Sequence, residues 1–536
     1  MGPIIRICSE ARPAPARRGS TTRLRRGALA LTLALLPTPA SANTEGLAAY
    51  LRARVADSRG RLGAAADYAR ALDRAPDAAI AIRAYREALA AGDFTLARRA
   101  EAVLVRAGVA PEDARLFPLA EAARAGDVER VERALAALAS SRLSLLSPGV
   151  RAWTARDAGP EPTDPVARRL AAEARALVLI GRGDWRDGVA RLRALGGVEA
   201  NVDVRLAAAE LLAHRREPVS ARALFPADDV VIGPLLAGGG AKPDLGFGVS
   251  RLFSRLAADL VAGEPTPLAV SLTRAALVAD PANDRARLLL AAALKADGAV
   301  DRALAVLAEL PADSPFATAA AAARIRLLTR SGRPAEALTE ARGAAERRGA
   351  GRDDWQLYAD LLSDAGRHGD AASWYRRIAE GAGSGEWDVW LQYGGALELA
   401  GSWPAARAAL ERAVALGPDQ PLALNYLGYA RLTRGEARRE STVLLERAHR
   451  LAPDDPSIAD SLGWAYHLTG DTSRALPLLE TAAQAEAGNA EIAEHLGDAY
   501  WTLGRRYEAR YAWAAAVVVA DAKDKSRLQE KAVRGM

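Results

Sequence analysis

Glycines recur at Gly298, Gly332, Gly366, Gly401, Gly435, Gly470 and Gly504, at intervals of 34, 34, 35, 34, 35 and 34 residues. Each closes an apolar helical run and precedes a second helix start, as in Leu468-Thr469-Gly470-Asp471 and Thr502-Leu503-Gly504-Arg505. A residue that ends one helix so that another can turn back adopts a positive φ, which glycine does without steric penalty. The interval therefore predicts a helix-turn-helix unit repeated at nearly fixed length. Such a unit cannot bury its apolar face alone, so copies must stack, and the predicted fold class is an all-α solenoid. Composition agrees, since alanine, leucine, arginine and glutamate dominate while aromatic and β-branched residues are sparse.

Around the turns, small residues fall where two helices of a unit cross and large ones where neighbouring units meet. Trp390, Tyr393, Gly394, Leu397, Ala406, Leu410, Ala413 and Pro418 mark one copy. Leu462, Gly463, Tyr466, Ala475, Leu479 and Ala482 mark another, and Leu496, Gly497, Tyr500, Ala509, Trp513 and Ala516 a third. Weaker copies run through Trp355, Tyr358, Leu362, Ala371 and Tyr375, and through Ala303 and Leu307; the earliest turn near Gly60, Gly92, Gly126 and Gly183. In the unit of Leu427-Gly428 an extra residue follows Gly435, so its second helix is expected to start late.

This pattern resembles the tetratricopeptide repeat over about residues 45–520, and the whole chain resembles exported proteobacterial proteins of that superfamily. Leu424-Asn425-Tyr426-Leu427-Gly428-Tyr429 and Ser461-Leu462-Gly463-Trp464 are the closest echoes. The resemblance implies a right-handed superhelix whose inner face binds partner proteins, with no catalytic residues to carry over.

Charge is concentrated at one end. Residues 1–42 hold seven arginines against Glu10, so the net charge of +6 resides there and the remainder is neutral, which removes the electrostatic case for nucleic acid. The same segment reads as a secretory signal: an arginine-rich start, an apolar run Ala28–Leu36, and Ala40-Ser41-Ala42 as a cleavage site. Cleavage after Ala42 would leave a periplasmic or secreted chain with no transmembrane span and no cysteine, because Cys8 is the only one. The expected organisation is a signal at 1–42, a divergent solenoid at 43–225, a Gly/Pro-rich linker at 226–248, a second solenoid at 249–521, and a capping helix or tail at 522–536. Ser144–Pro165 is expected as a longer crossover.

Catalytic and cofactor signatures are not found. His214, His368, His449, His467 and His495 lack zinc-site spacing and read as helix-surface residues; Glu494, His495 and Asp498 read as an ordinary polar cluster rather than a metal site. The glycine run before Lys242-Pro243 departs from a phosphate loop. The chain is therefore expected not to be an enzyme and to need no cofactor or metal.

The register of the resemblance places Asn425, Tyr429, Asp460, Trp464, His467, Glu491, Glu494, Asp498 and Trp501 along the inner groove. Acids outnumber bases there, and no lysine or arginine stands among these positions to clamp a carboxylate. Trp464 and Trp501 are expected as anchors, Trp390 and Trp513 as packing, and the acids should favour a protein or peptide partner with a basic segment. Neutralising Asp460, Glu494 and Asp498 is expected to spare folding, because these positions should lie outside the inter-repeat core. The leading expectation is a scaffold or adaptor in the cell envelope. The alternative is an accessory subunit or unrecognised hydrolase of cell-wall or polysaccharide metabolism.

Overall fold

A computed structural model describes residues 44–536 apart from 58–62, 155–160, 197–200, 228, 264–265 and 382. The expected signal at 1–42 and the turn at Gly60 lie outside the described residues. Among the described residues there is no strand, and successive helices pack side by side in pairs as an all-α repeat solenoid. Two compact units divide the described residues at Ala337 and Leu338, inside the helix Pro334–Glu346.

In the second unit the sequence rhythm is realised turn by turn. Its five periodic glycines, and Gly298 and Gly332 in the first unit, all have φ between 71° and 93°. The following amide reaches back to cap the finished helix, Asp471 N to Tyr466 O at 2.8 Å and Arg505 N to Tyr500 O at 2.9 Å. The extra residue after Gly435 is absorbed at Ala437, which takes φ 44°, and the second helix begins at Arg438.

A different set of glycines sets the spacing inside each pair. A Cβ at Gly463 would stand 2.8 Å from Leu479 Cγ, and one at Gly428 2.9 Å from Leu445 Cγ. At Gly497 it would meet the Trp513 indole at 2.4 Å. These glycines sit mid-helix, where glycine costs about 1 kcal/mol relative to alanine, and the close approach they permit is what offsets that cost. Trp513 and Leu479 are fully buried against them.

The first unit departs from a simple row. Helices Leu245–Ala262 and Pro267–Ala279 pack back on Leu116–Arg124, and Pro267–Ala279 also meets Ala78–Ala91. Val249, Phe253 and Leu272 share one buried cluster with Leu116, Leu119 and Leu135. Buried arginines lock this arrangement: Arg302 pairs with Glu87, and Arg251 bridges Glu210 at 2.7 Å and Asp280 at 2.8 Å. Arg274 donates to the carbonyls of Leu89 and Ala90, both at 2.8 Å, satisfying the end of Ala78–Ala91; burial brings its guanidinium down to about 10.

The segment expected as a linker, 226–248, therefore lies within one unit. It carries the helix Ile232–Ala237 and the start of Leu245–Ala262, and a Cβ at Gly248 would stand 2.3 Å from the Trp153 indole. Gly240, Gly246 and Gly248 serve close packing. The crossover expected at Ser144–Pro165 likewise contains the helix Ser147–Trp153.

The crossings give a graded prediction. Gly497→Ala presses on a fully buried indole, whereas Gly463→Ala presses on a leucine that can change rotamer. Both should destabilise, Gly497→Ala toward the upper end of about 1–3 kcal/mol and Gly463→Ala toward the lower, with Gly463→Leu worse than Gly463→Ala. Thermal or urea unfolding reads the order; melting curves identical to wild type would show that the crossings are not close-packed.

Candidate functional site

Three consecutive first helices, Pro421–Thr433, Pro456–Leu468 and Ala490–Thr502, bring the candidate residues onto one face of the second unit. Equivalent positions lie one repeat apart in sequence, so side chains about 35 residues apart become neighbours. The N-caps that start two of these helices are supplied by the chain itself. Asp455 accepts from Ser457 N and Ile458 N, and Asn489 from Glu491 N and Ile492 N.

At the centre lies an aromatic and imidazole stack. The Trp464 ring lies 4.0 Å from that of His495 at 13° and 5.0 Å from that of His467 at 19°. His495 Nδ1 is 3.0 and 3.1 Å from the two carboxylate oxygens of Asp460, and both side chains are 8% exposed. Burial alone would lower the His495 pKa, but Asp460 at contact, with Glu491 and Asp498 nearby, raises it above the ordinary value. His467 moves the other way: burial lowers it, aided by His495 and Lys531 and opposed by Asp498. Two imidazoles stacked on one indole are thus shifted in opposite directions, His495 upward and His467 downward. Tyr429 closes the stack by donating its hydroxyl to Glu491. Burial, and then the Glu491 charge, drive its pKa upward.

Asp498 and Glu494 face the other way, toward the last helix, Ala522–Arg534. Asp498 accepts from Trp513 Nε1 at 2.8 Å and from Lys531 Nζ at 2.8 and 2.9 Å. Glu494 accepts from Lys531 Nζ at 2.7 Å and from Arg527 Nη2 at 2.8 Å. Burial would raise the Glu494 pKa, but these hydrogen bonds and cations bring it down to about 2. Trp501 is flanked by the Arg506 guanidinium at 3.7 Å and by Trp513 at 5.4 Å, and the backbone of Gly535 lies directly on its ring. A space of 1210 Å³ opens between the two sides, bounded by Trp464, Glu491, Asp498, Asp524 and Arg527.

Most of the expected groove residues are thus brought together, but several are not free surface. Asn425 is buried, and no donor among the described residues reaches its Oδ1. Asp460 and Asp498 are buried and hydrogen-bonded, which corrects the expectation that they lie outside the inter-repeat core: each holds a partner from a neighbouring helix. His495 is buried against the Asp460 carboxylate, and the reading of it as a surface residue is corrected. Trp501 is only half-exposed, with Gly535 against its ring. Further along, Glu398 is bound by Arg434 at 2.8 Å and by the Tyr426 hydroxyl at 2.6 Å, and Asp360 by Tyr375 and Gln356. Among the described residues no group of three or more His, Cys, Asp or Glu is arranged to hold a metal ion.

The imidazoles yield a pH prediction. By NMR, His495 should titrate above 6.5 and His467 below it. Because the folded value of His495 lies above the unfolded one, its stabilisation is complete below about pH 6.5 and is lost as pH rises through the folded value. Wild-type unfolding free energy should fall across that interval, and a His495→Gln variant should lack this component. Titration of both rings at the same pH would contradict the paired geometry.

Tetratricopeptide-repeat family models match residues 387–432 and 461–525. A comparison with curated proteins finds no match. Similar solved structures include YrrB, a tetratricopeptide-repeat protein with an unusual peptide-binding site, at 18% identity over 35% of this chain and 97% of that one, TM-score 0.28. A tetratricopeptide-repeat protein from Parabacteroides merdae matches at 15% identity over 46% of this chain and 96% of that one, TM-score 0.39. MamA from Desulfovibrio magneticus RS-1 matches at 17% identity over 31% and 92%, TM-score 0.28. Residues 387–432 and 461–525, with their helix pairs, turn glycines and crossing glycines, are thus similar to the tetratricopeptide repeat, a stacked helical unit that serves as a protein-interaction scaffold.

Proposed function

We propose that the chain is a non-catalytic adaptor whose second unit holds a segment of a partner protein in the groove of its last repeats. The observation that carries this reading is the partly exposed Trp464, held rigid by stacking on two imidazoles, beside Glu491 and Glu494 and the open space in front of them. An aromatic fixed in this way offers contact area at little entropic cost, and the neighbouring carboxylates favour Lys or Arg on the ligand. The partner is accordingly a polypeptide with a basic segment. The arginine-rich start and the Ala40-Ser41-Ala42 site support action in the periplasm or outside the cell, within the envelope.

The test is an array of extended and helical peptides, basic and acidic, offered to the full-length protein. Basic peptides should bind preferentially and weaken with added salt, and Trp464→Ala should lose affinity chiefly through faster dissociation, by on the order of tenfold. Equal binding of acidic and basic peptides, or indifference to Trp464→Ala, would remove the groove as the site.

A further inference from the structure

The last helix, Ala522–Arg534, stands where the first helix of another repeat would, yet its packing differs from that of a repeat helix. Among its described residues only Leu528 is buried, in a cluster with Ala516 and Ala520. Ala490–Thr502 buries Ile492, His495, Gly497, Asp498 and Ala499, and Pro456–Leu468 buries eight residues. What the last helix offers instead is charge. Three of the five lysines of the chain, Lys523, Lys525 and Lys531, lie in it with Arg527 and Arg534, against Asp524 and Glu530.

The contacts are matched in spacing. Arg527 and Lys531, one helical turn apart, reach Glu494 and Asp498, one turn apart on Ala490–Thr502. Gly535, just beyond, lays its backbone on Trp501. A basic helix with cations at i and i+4 and an apolar residue at i+1 thus already occupies the acidic end of the groove.

We propose that Ala522–Arg534 is an intramolecular ligand of that end of the groove, displaced when a basic amphipathic helix of a partner, with Lys or Arg at the same spacing, takes its place. The inference rests on the groove being a partner site. Attachment through ion pairs and one leucine makes release local and salt-driven, leaving the repeats behind it folded.

Two measurements on the full-length protein test this. In hydrogen exchange, raising salt from about 50 to about 500 mM should deprotect 522–534 while 456–519 keeps its protection. If 490–519 loses protection together with 522–534, the helix is a structural cap and the proposal is overturned. In the second, a labelled synthetic peptide of residues 521–536 is offered to wild type and to a Leu528→Ala/Lys531→Glu variant. The variant, its own helix released, should bind on the order of tenfold tighter or better, because the groove is no longer mostly occupied. A peptide carrying Arg527→Glu and Lys531→Glu should not bind. Equal affinity of wild type and variant for the native peptide overturns the proposal, as does a wild-type dimer whose 522–534 protection falls on dilution, which would assign the helix to a second copy. If basic array peptides bind both proteins equally and depend on Trp464, the groove reading stands and this proposal alone fails; if none binds either protein, both fail.

Discussion

The second unit depends on the close crossing of the two helices within each repeat. Gly394, Gly428, Gly463 and Gly497 bring Leu410, Leu445, Leu479 and Trp513 against backbone, leaving no room for a side chain at the glycine. That contact fixes how far one helix can slide or rotate on its partner, and repeating it fixes which face every first helix turns toward the groove. The turn glycines do separate work. At Gly435, Gly470 and Gly504 a Cβ would meet nothing, so their role is the left-handed backbone that reverses the chain.

Once the register is fixed, residues one repeat apart must find chemically compatible neighbours. Gln356 donates to Gln392 at 2.8 Å, Trp403 to Glu436 at 2.8 Å, and Asp460 meets His495. The acids of the groove are therefore largely answered from within the chain, by His495, Arg434, Arg527 and Lys531. An unpaired buried carboxylate would cost several kcal/mol, so those carboxylates that are buried are either paired or bound by hydroxyl and amide donors. What remains available to a partner is narrower than the row of acids alone indicates: Trp464 and the space in front of it, beside the Glu491 carboxylate that holds the Tyr429 hydroxyl, together with the positions that the last helix covers.

Much of this was legible in the sequence. The period of the glycines gave helix pairs and turns, and the small residues one turn before Tyr466 and Tyr500 gave the crossings. The late start at Arg438 followed from one inserted residue. Harder to read were contacts that depend on which face a residue takes within the fold. His495 stands one position before Leu496 and has no motif around it; only its place 35 residues after Asp460 marks the pair. The glycines at 246 and 248 look like a linker because close packing, on the Ala279 carbonyl and on Trp153 respectively, and a flexible turn call for the same residue. The folding back of Leu245–Ala279 onto Ala78–Ala91 and Leu116–Arg124 has no local signal, since Arg274 and the Leu89 carbonyl it reaches are separated by 185 residues. The concentration of lysines in the last helix was visible, but its meaning required seeing Glu494 and Asp498 opposite it.

Repeat register places specific side chains of adjacent repeats in energetic contact, and a double-mutant cycle between Asp460 and His495 measures that directly. Asp460→Asn, His495→Gln and the pair would be compared by urea unfolding at a pH below 6.5, where the imidazole is charged. Coupling on the order of 1–3 kcal/mol, shrinking as pH rises through the folded value of His495, is the predicted result. Single-variant effects that add to within about 0.5 kcal/mol at every pH would contradict it.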